Sequence, residues 1–555
     1  MSSLGPEWFS PRHLGEVDTR GCQRSAKWLV RVMPPNRRGM TTVERGNERL
    51  HSTVWANCTQ RLQSRLSRPS TPGREPVAMS FRFAIAAACL LATAAPASAD
   101  FLWGVNGHPI NSYPGVPIDK QLDFLKDLGL KSYRVNVTGE DNADMLASLV
   151  DAGKARGIEI LPVLTPQGID LDKDSPEDLY GKTRKLAVAL GTRFKDDIRV
   201  WELGNELENY AIIKPCEKRD DGTQYPCGWG PAGGVGALDY YGPRWVKVSA
   251  VLKGLSDGMI EVDPGIRKAL GTAGWGHVGA FARMKQDGIA WDISVWHMYG
   301  EDPEWAFREM SGYGKPIWVT EFNNPNGSER SERLQAEGIK QAMTQLRALS
   351  EKYKVEAAHI YELFDETYWA PSFEAKMGLV RLTPASDGKW RAGEPKAAYK
   401  TVRDFTRGPR PPIKPHWECD PETTAAAKST PVRQASFVYC LILGHEGDSA
   451  SVKQWAAALE SGQAKLPDMI TAMIGSDEFE TRYTTIGLTD REYIGFLYLL
   501  LLDRPADGYG LETYVVQLRA GSMTREAVAF GIVTSAEFQS RHAATRDASA
   551  VATPG

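Results

Sequence analysis

Between Phe101 and Phe405, short runs of consecutive apolar residues alternate with segments whose apolar positions recur every three or four residues. The first pattern predicts strands buried on both faces, the second amphipathic helices packed against them. The strand runs are Phe101 to Asn106, Ser132 to Val137, Ile158 to Leu164, Ile198 to Leu203, Arg267 to Thr272, Ile293 to His297, Ile317 to Glu321 and Ala357 to Leu363. Helical patterns follow each in turn: Ile118 to Leu128, Ala143 to Arg156, Leu179 to Phe194, Tyr240 to Met259, Val278 to Lys285, Glu304 to Met310, Glu332 to Tyr353 and Ala397 to Phe405. Eight strand–helix repeats predict an α/β fold of the (β/α)8 TIM-barrel kind, with an open doubly wound sheet as the competing arrangement.

A barrel directs attention to the C-terminal ends of its strands, where chemistry is placed. The polar residues there are Asn106, His108, Arg134, Asn136, Asn205, Glu206, His297, Tyr299, Glu321, Asn323 and Glu362, with Trp275 and Trp369 as aromatic neighbours. Two stretches stand out. Val200-Trp201-Glu202-Leu203-Gly204-Asn205-Glu206 runs from a buried strand into an amide–carboxylate pair, and Trp318-Val319-Thr320-Glu321-Phe322-Asn323 ends a second strand on a carboxylate. Cleaving a glycosidic bond needs one carboxylic acid to protonate the leaving oxygen and one carboxylate to attack the anomeric carbon or activate water. Glu206 and Glu321 can supply both, with Asn205 on a sugar hydroxyl and Arg134, His297 and Tyr299 holding Glu321 ionised and aimed.

Gly204-Asn205-Glu206 on the fourth strand and Thr320-Glu321 on the seventh resemble the motifs of clan A glycoside hydrolases. Trp296-His297-Met298-Tyr299 and Tyr133-Arg134 resemble that clan's supporting residues. The resemblance covers residues 100–408. It implies a retaining double displacement with Glu206 as acid/base and Glu321 as nucleophile. It further implies Asn205 at the sugar 2-hydroxyl, Tyr299 and Arg134 supporting Glu321, and His297 lining the pocket. The chain departs from the common pattern where Leu207-Glu208 follows the Asn-Glu pair in place of Pro. The eighth strand reads Tyr361-Glu362, where Trp is frequent. Tyr361, Phe364 or Trp369 then becomes the candidate sugar platform.

Each candidate has an ordinary competitor. Glu202 belongs deeper in the barrel, where a structural ion pair is expected; Glu208 and Glu362 read as loop or rim carboxylates. Trp201, Trp296 and Trp318 lie within the strands and are expected to pack. The insert from Asn209 to Leu238 carries Cys216, Cys227 and Trp229 and is expected to wall one side of the cleft, or else to be a stapled surface loop.

Beyond residue 408 the pattern changes. Residues 409–435 begin with a Pro-rich connector, Pro409-Arg410-Pro411-Pro412-Ile413-Lys414-Pro415. Residues 436–541 then contain an internal repeat offset by about 59 residues, matching Leu443-Gly444-His445 to Leu502-Asp503-Arg504 and Ser476-Asp477-Glu478-Phe479 to Ser535-Ala536-Glu537-Phe538. These copies resemble the helical repeats of domain of unknown function 4214. An attachment or polysaccharide-interaction role is expected of them, against a folded appendage with no ligand. Residues 542–555 read as a disordered tail.

Composition narrows the class. The 555 residues carry a net charge of −3, with 42% hydrophobic and 24% charged positions, so no polyanion partner is implied and no nucleic-acid motif appears. Met79 to Ala99 has a basic start, an apolar core and an Ala-x-Ala step, the pattern of a secretory signal peptide. Residues 1–78 before it read as a non-native or disordered extension. The remaining cysteines, 216, 227, 419 and 440, are expected to pair locally in an exported chain, although four cysteines permit three connectivities. Expected overall is a secreted or periplasmic retaining glycosidase on a poly- or oligosaccharide, free of cofactor and metal, with envelope or matrix association through the C-terminal unit. A transglycosylase on the same fold, or a non-catalytic carbohydrate-binding or cell-surface protein, are the alternatives.

Overall fold

The computed structural model describes residues 101–542, apart from 111, 386 and 427–429. The expected signal peptide, the extension before it and the tail from 543 lie outside the described residues.

Eight parallel strands close into a barrel in sequence order: β1 Leu102–Gly107, β2 Ser132–Val137, β3 Glu159–Leu164, β4 Val200–Leu203, β5 Arg267–Thr272, β6 Ile293–Met298, β7 Ile317–Phe322 and β8 Val355–Ile360. Closure is direct, since β1 pairs with both β2 and β8. The open-sheet alternative is thereby excluded. The helices are α1 Ile118–Leu128, α2 Ala143–Arg156, α3 Pro176–Phe194, α4 Gly242–Val262, α5 Gly279–Gln286, α6 Glu304–Ser311, α7 Glu332–Tyr353 and α8 Ala397–Arg407. Local chemistry sets their ends. Ser175 and Ser331 accept from the backbone N–H groups of Asp178 and Leu334 at the starts of α3 and α7, while Gly129 and Gly157 close α1 and α2 in the left-handed conformation.

Two apolar regions hold the barrel. Its interior is packed by Leu161, Ala269, Ile293, Val295, Trp318 and Ala357, and a larger layer between strands and helices contains Trp201, Trp245, Trp296, Phe281 and Phe307. Strands buried on both faces explain why they read as continuous apolar runs. One element is absent from the sequence reading: an antiparallel pair, β9 Val380–Pro384 and β10 Trp390–Pro395, stands between β8 and α8. Its residues mix buried, half-buried and exposed positions, with Arg381, Arg391 and Glu394 interleaved among the apolar ones, so no strong period announces it.

The C-terminal unit is helical: α9 Pro421–Ala426, α10 Thr430–Val438, α11 Ser449–Glu460, α12 Leu466–Ile474, α13 Asp477–Tyr483, α14 Asp490–Leu502, α15 Gly508–Arg519, α16 Arg525–Val533 and α17 Ala536–Arg541. Helix α9 thus falls within the stretch read as linker, and α10 begins there and runs past residue 435. The repeat extends to individual contacts. His445 meets Glu478 at 2.6 Å in one copy, and Arg504 meets Glu537 at 2.6 Å at the equivalent place in the other. Asp448 and Asp507 cap α11 and α15, and Ser476 and Ser535 cap α13 and α17.

The Pro-rich segment is not a free tether. Asp127 of α1, buried, accepts from Tyr399 at 2.8 Å and from Arg410, whose guanidinium also donates to the Thr484 and Ile486 carbonyls. Disulfides join Cys216 to Cys227 and Cys419 to Cys440, the local pairing expected. No helix among the described residues is long and apolar enough to cross a membrane.

Candidate active site

Three local features aim side chains into the mouth of the barrel. Asn106 and Arg134 are register partners on β1 and β2, so both project inward at one level. On β7 the register against β6 slips: Trp296 faces Val319, but His297 faces Glu321. Thr320 is the extra residue of a bulge, which lets Thr320 and Glu321 both reach the same cluster. After β4 the backbone turns through Gly204 at φ +80° and Glu206 at φ +50°. This left-handed turn projects the Glu206 side chain over the opening.

Arg134 is the hub. Its guanidinium is buried, and all five N–H donors are used: two on Glu202 at 2.7 and 2.6 Å, and one each on Asn106 (2.7 Å), Glu321 (2.8 Å) and Asn205 (2.7 Å). Glu202 is the buried structural partner and Glu321 the second carboxylate on the same cation. Burial works against the charged guanidinium, but Glu202 and Glu321 outweigh it and keep Arg134 ionised. The other oxygen of Glu321 accepts from the Tyr299 hydroxyl at 2.7 Å. Two donors thus fix the orientation of that carboxyl group.

His297 joins the two glutamates. Its Nδ1 is 2.7 Å from Glu206 and 3.4 Å from Glu321, and its Nε2 is 3.2 Å from the Thr320 hydroxyl, which donates to Glu202. Burial lowers its proton affinity, but the charge of Glu321 and the hydrogen bond to Glu206 prevail and hold it above the ordinary imidazole value. Oxygens of Glu206 and Glu321 and a nitrogen of His297 all lie within 4.8 Å of one another. The Glu206 side chain is 31% exposed and that of Glu321 only 9%, so the first meets solvent and the second is sheltered.

Asn205 uses its oxygen to accept from Arg134, which turns its amide N–H groups away from that ion pair. Trp369, the remaining candidate, follows β8, and its Nε1 donates to Glu366 at 2.8 Å. Two carboxylates expected at the rim are buried instead. Glu208 accepts from the Ala273 N–H at 2.7 Å and meets His277 at 2.9 Å, tying the β4 loop to the β5 loop. Glu362 is fully enclosed, 3.2 Å from His108, because the residues after β8 fold back under β9.

His108, Glu362 and Glu366 form a second acidic group, with ligand-type atoms within 4.8 Å of one another. Either this trio or Glu206–His297–Glu321 has the donor set for a metal ion. In the first, Tyr368 and Trp369 already donate to Glu366; in the second, the glutamates are held by His297, Arg134 and Tyr299. Burial pulls His108 down, but Glu366 and Glu362 raise it to about 9. Glu374, which sequence reasoning passed over, also faces this region. Burial and the charges of Glu321 and Glu206 push its carboxyl up to about 7. It sits in the long β8–α8 segment with no motif around it, and only the fold brings it near the pair.

Fold and site together define a closed (β/α)8 barrel with two carboxyls converging at its C-terminal mouth, joined to a helical repeat unit. The family model for the domain of unknown function (DUF4214) matches residues 470–542. No curated protein matches the chain in sequence. Solved structures similar to it include the family 1 β-glucosidase from Thermotoga maritima, at 12% identity over 56% of this chain and 98% of that one, with a TM-score of 0.40. The β-glucosidase of that organism in complex with deoxynojirimycin, and the same in complex with castanospermine, each match at 13% identity over the same shares, with TM-scores of 0.41.

Proposed function

We propose that the chain is an exported glycoside hydrolase that cleaves a poly- or oligosaccharide by a retaining double displacement. The observation that carries this reading is the approach of Glu206 and Glu321, whose oxygens lie within 4.8 Å of each other across His297. A retaining pair has its carboxyl groups about 5 to 5.5 Å apart, whereas an inverting pair is separated by roughly 6.5 to 9.5 Å to admit a water.

In this reading the sheltered Glu321, held between Arg134 and Tyr299, attacks the anomeric carbon. Glu206 gives its proton to the departing glycosidic oxygen, and a glycosyl ester forms on Glu321. Glu206 then takes a proton from water as that water attacks the anomeric carbon, which frees the sugar and restores both carboxyls. Asn205 donates to the hydroxyl next to the anomeric carbon. Two disulfides favour an oxidising compartment, and the helical repeats serve attachment or polysaccharide contact.

The test is hydrolysis of a panel of aryl glycosides and purified bacterial and plant polysaccharides, with the first-formed anomer followed by proton NMR. Retention of configuration supports the mechanism, and inversion overturns it. Sugar release from no substrate overturns the enzymatic reading. Transfer to an added acceptor sugar in preference to water assigns the same site to a transglycosylase.

A further inference from the structure

The two most exposed tryptophans among the described residues are Trp275, 73% exposed, and Trp229, 64% exposed. Indoles normally bury most of their surface, so two on one rim call for a partner. Their placement is built. Trp275 follows β5 and is held at φ +57°, a conformation a bulky side chain keeps only when its surroundings enforce it. Here they do. On one side Ala273 donates to Glu208; on the other His277 meets the same carboxylate.

The neighbouring Gly274 packs so closely on β6 that a Cβ there would fall 1.9 Å from the carbonyl oxygen of His297, the residue bonded to Glu206. Trp275 is therefore one residue from a contact with the backbone of His297, whose imidazole meets Glu206. Trp229 belongs to the loop from Asn209 to Leu238, just beyond the Cys216–Cys227 disulfide, its ring set edge-on against Tyr225 at 5.9 Å. That loop rests on the β5 loop: Gly279 N–H donates to the Gly234 carbonyl at 2.9 Å, and a Cβ on Gly276 would lie 2.3 Å from the Gly233 oxygen. Both indoles thus belong to segments packed together on the Glu206 side of the mouth.

Resting on the reading of Glu206 as the acid, we propose that Trp275 and Trp229 form a platform for sugar rings on the leaving-group side of the bond being cut. An acid that protonates the departing oxygen has the departing sugar beside it, so aromatic faces there stack against rings beyond the cleavage point. The substrate continues past Glu206 as a chain of several sugars.

Affinity electrophoresis of the full chain in gels cast with barley β-glucan, xylan, galactomannan or curdlan measures binding without turnover. The wild type is retarded by at least one polymer, and Trp275→Ala and Trp229→Ala each lose most of that retardation. A Trp417→Ala control, altering an exposed tryptophan of the C-terminal unit, keeps it. Retardation by none of the polymers, or equal retardation of all variants, overturns the platform. Product sizing on the retarding polymer then separates the two proposals. Release of sugar or oligosaccharide by the wild type, lowered at subsaturating polymer in both tryptophan variants, supports both. Tryptophan-dependent retardation without any sugar release leaves the platform standing and overturns the hydrolase reading.

Discussion

His297 Nδ1 lies 2.7 Å from Glu206 and 3.4 Å from Glu321, so a single imidazole spans two carboxyls that are 115 residues apart in the chain (321 − 206). Its dependence on that arrangement makes the site open to direct test.

Replacing Glu321 by Gln removes the nucleophile and keeps its volume. Turnover of the best aryl glycoside should fall by about four orders of magnitude or more, as when a covalent catalyst is removed. Circular dichroism and the thermal midpoint should stay close to wild type. Near-native turnover would falsify the assignment.

Glu206→Ala should behave differently. With good leaving groups such as dinitrophenol, proton donation matters little and the first step survives; with an alkyl or sugar leaving group the rate should drop by roughly 10²- to 10⁴-fold. Added azide should restore turnover by attacking the glycosyl ester. A uniform loss across leaving groups, with no azide effect, would assign the acid role elsewhere.

Arg134 neutralises two carboxylates in a buried site, and its removal strands them. Arg134→Met should destabilise the fold by about 3 to 5 kcal/mol in urea unfolding, the usual cost of leaving a buried charge unpaired. Adding Glu202→Gln should recover part of that loss. A double variant no more stable than the single one would show that Glu202 is not the stranded charge.

The His108–Glu362 pair predicts a pH dependence of stability. His108 is raised from 6.5 to about 9 in the folded state, so folding takes up a proton across that window. Its stabilisation is complete below about pH 6.5 and fades as the pH climbs through 9. Glu362, which burial and Glu366 also hold up, acts with the same sign. The thermal midpoint should therefore fall between pH 6.5 and 9, and His108→Gln should flatten the decline. The same slope in both proteins would rule the pair out as its source.

Asp127 receives Tyr399 and Arg410 and so ties α1, α8 and the Pro-rich segment together. Asp127→Ala should loosen that segment and speed tryptic cleavage after Arg407, the cleavable bond beside it, at least several-fold, with barrel hydrolysis rates little altered. Unchanged cleavage kinetics would mean that the remaining contacts suffice.

Much of the fold was legible in the chain because the relevant physics is short-range. A strand buried on both faces must be apolar at consecutive positions, and a helix packed on it must be apolar every third or fourth; the runs from Ser132 to Val137 and Glu332 to Tyr353 coincide with β2 and α7 for that reason. The last strand is the exception. Val355–Ile360 is earlier than its apolar run suggested, since Leu363 and Phe364 are buried by the returning β9 segment and not by the barrel ladder.

The sequence alone also named Glu206, Glu321, Arg134, Asn205, His297 and Tyr299, because polar residues at the ends of buried strands have few other reasons to be there. It could not show that Thr320 is a bulge residue, that His297 sits nearer Glu206 than Glu321, or that Glu208 and Glu362 are buried. Nor could it bring Glu374 toward the pair, or set Trp275 and Trp229 on one rim. Each of these depends on which distant segment arrives opposite. Periodicity reports the environment of a residue within its own element, whereas barrel closure and strand register decide its partners across elements.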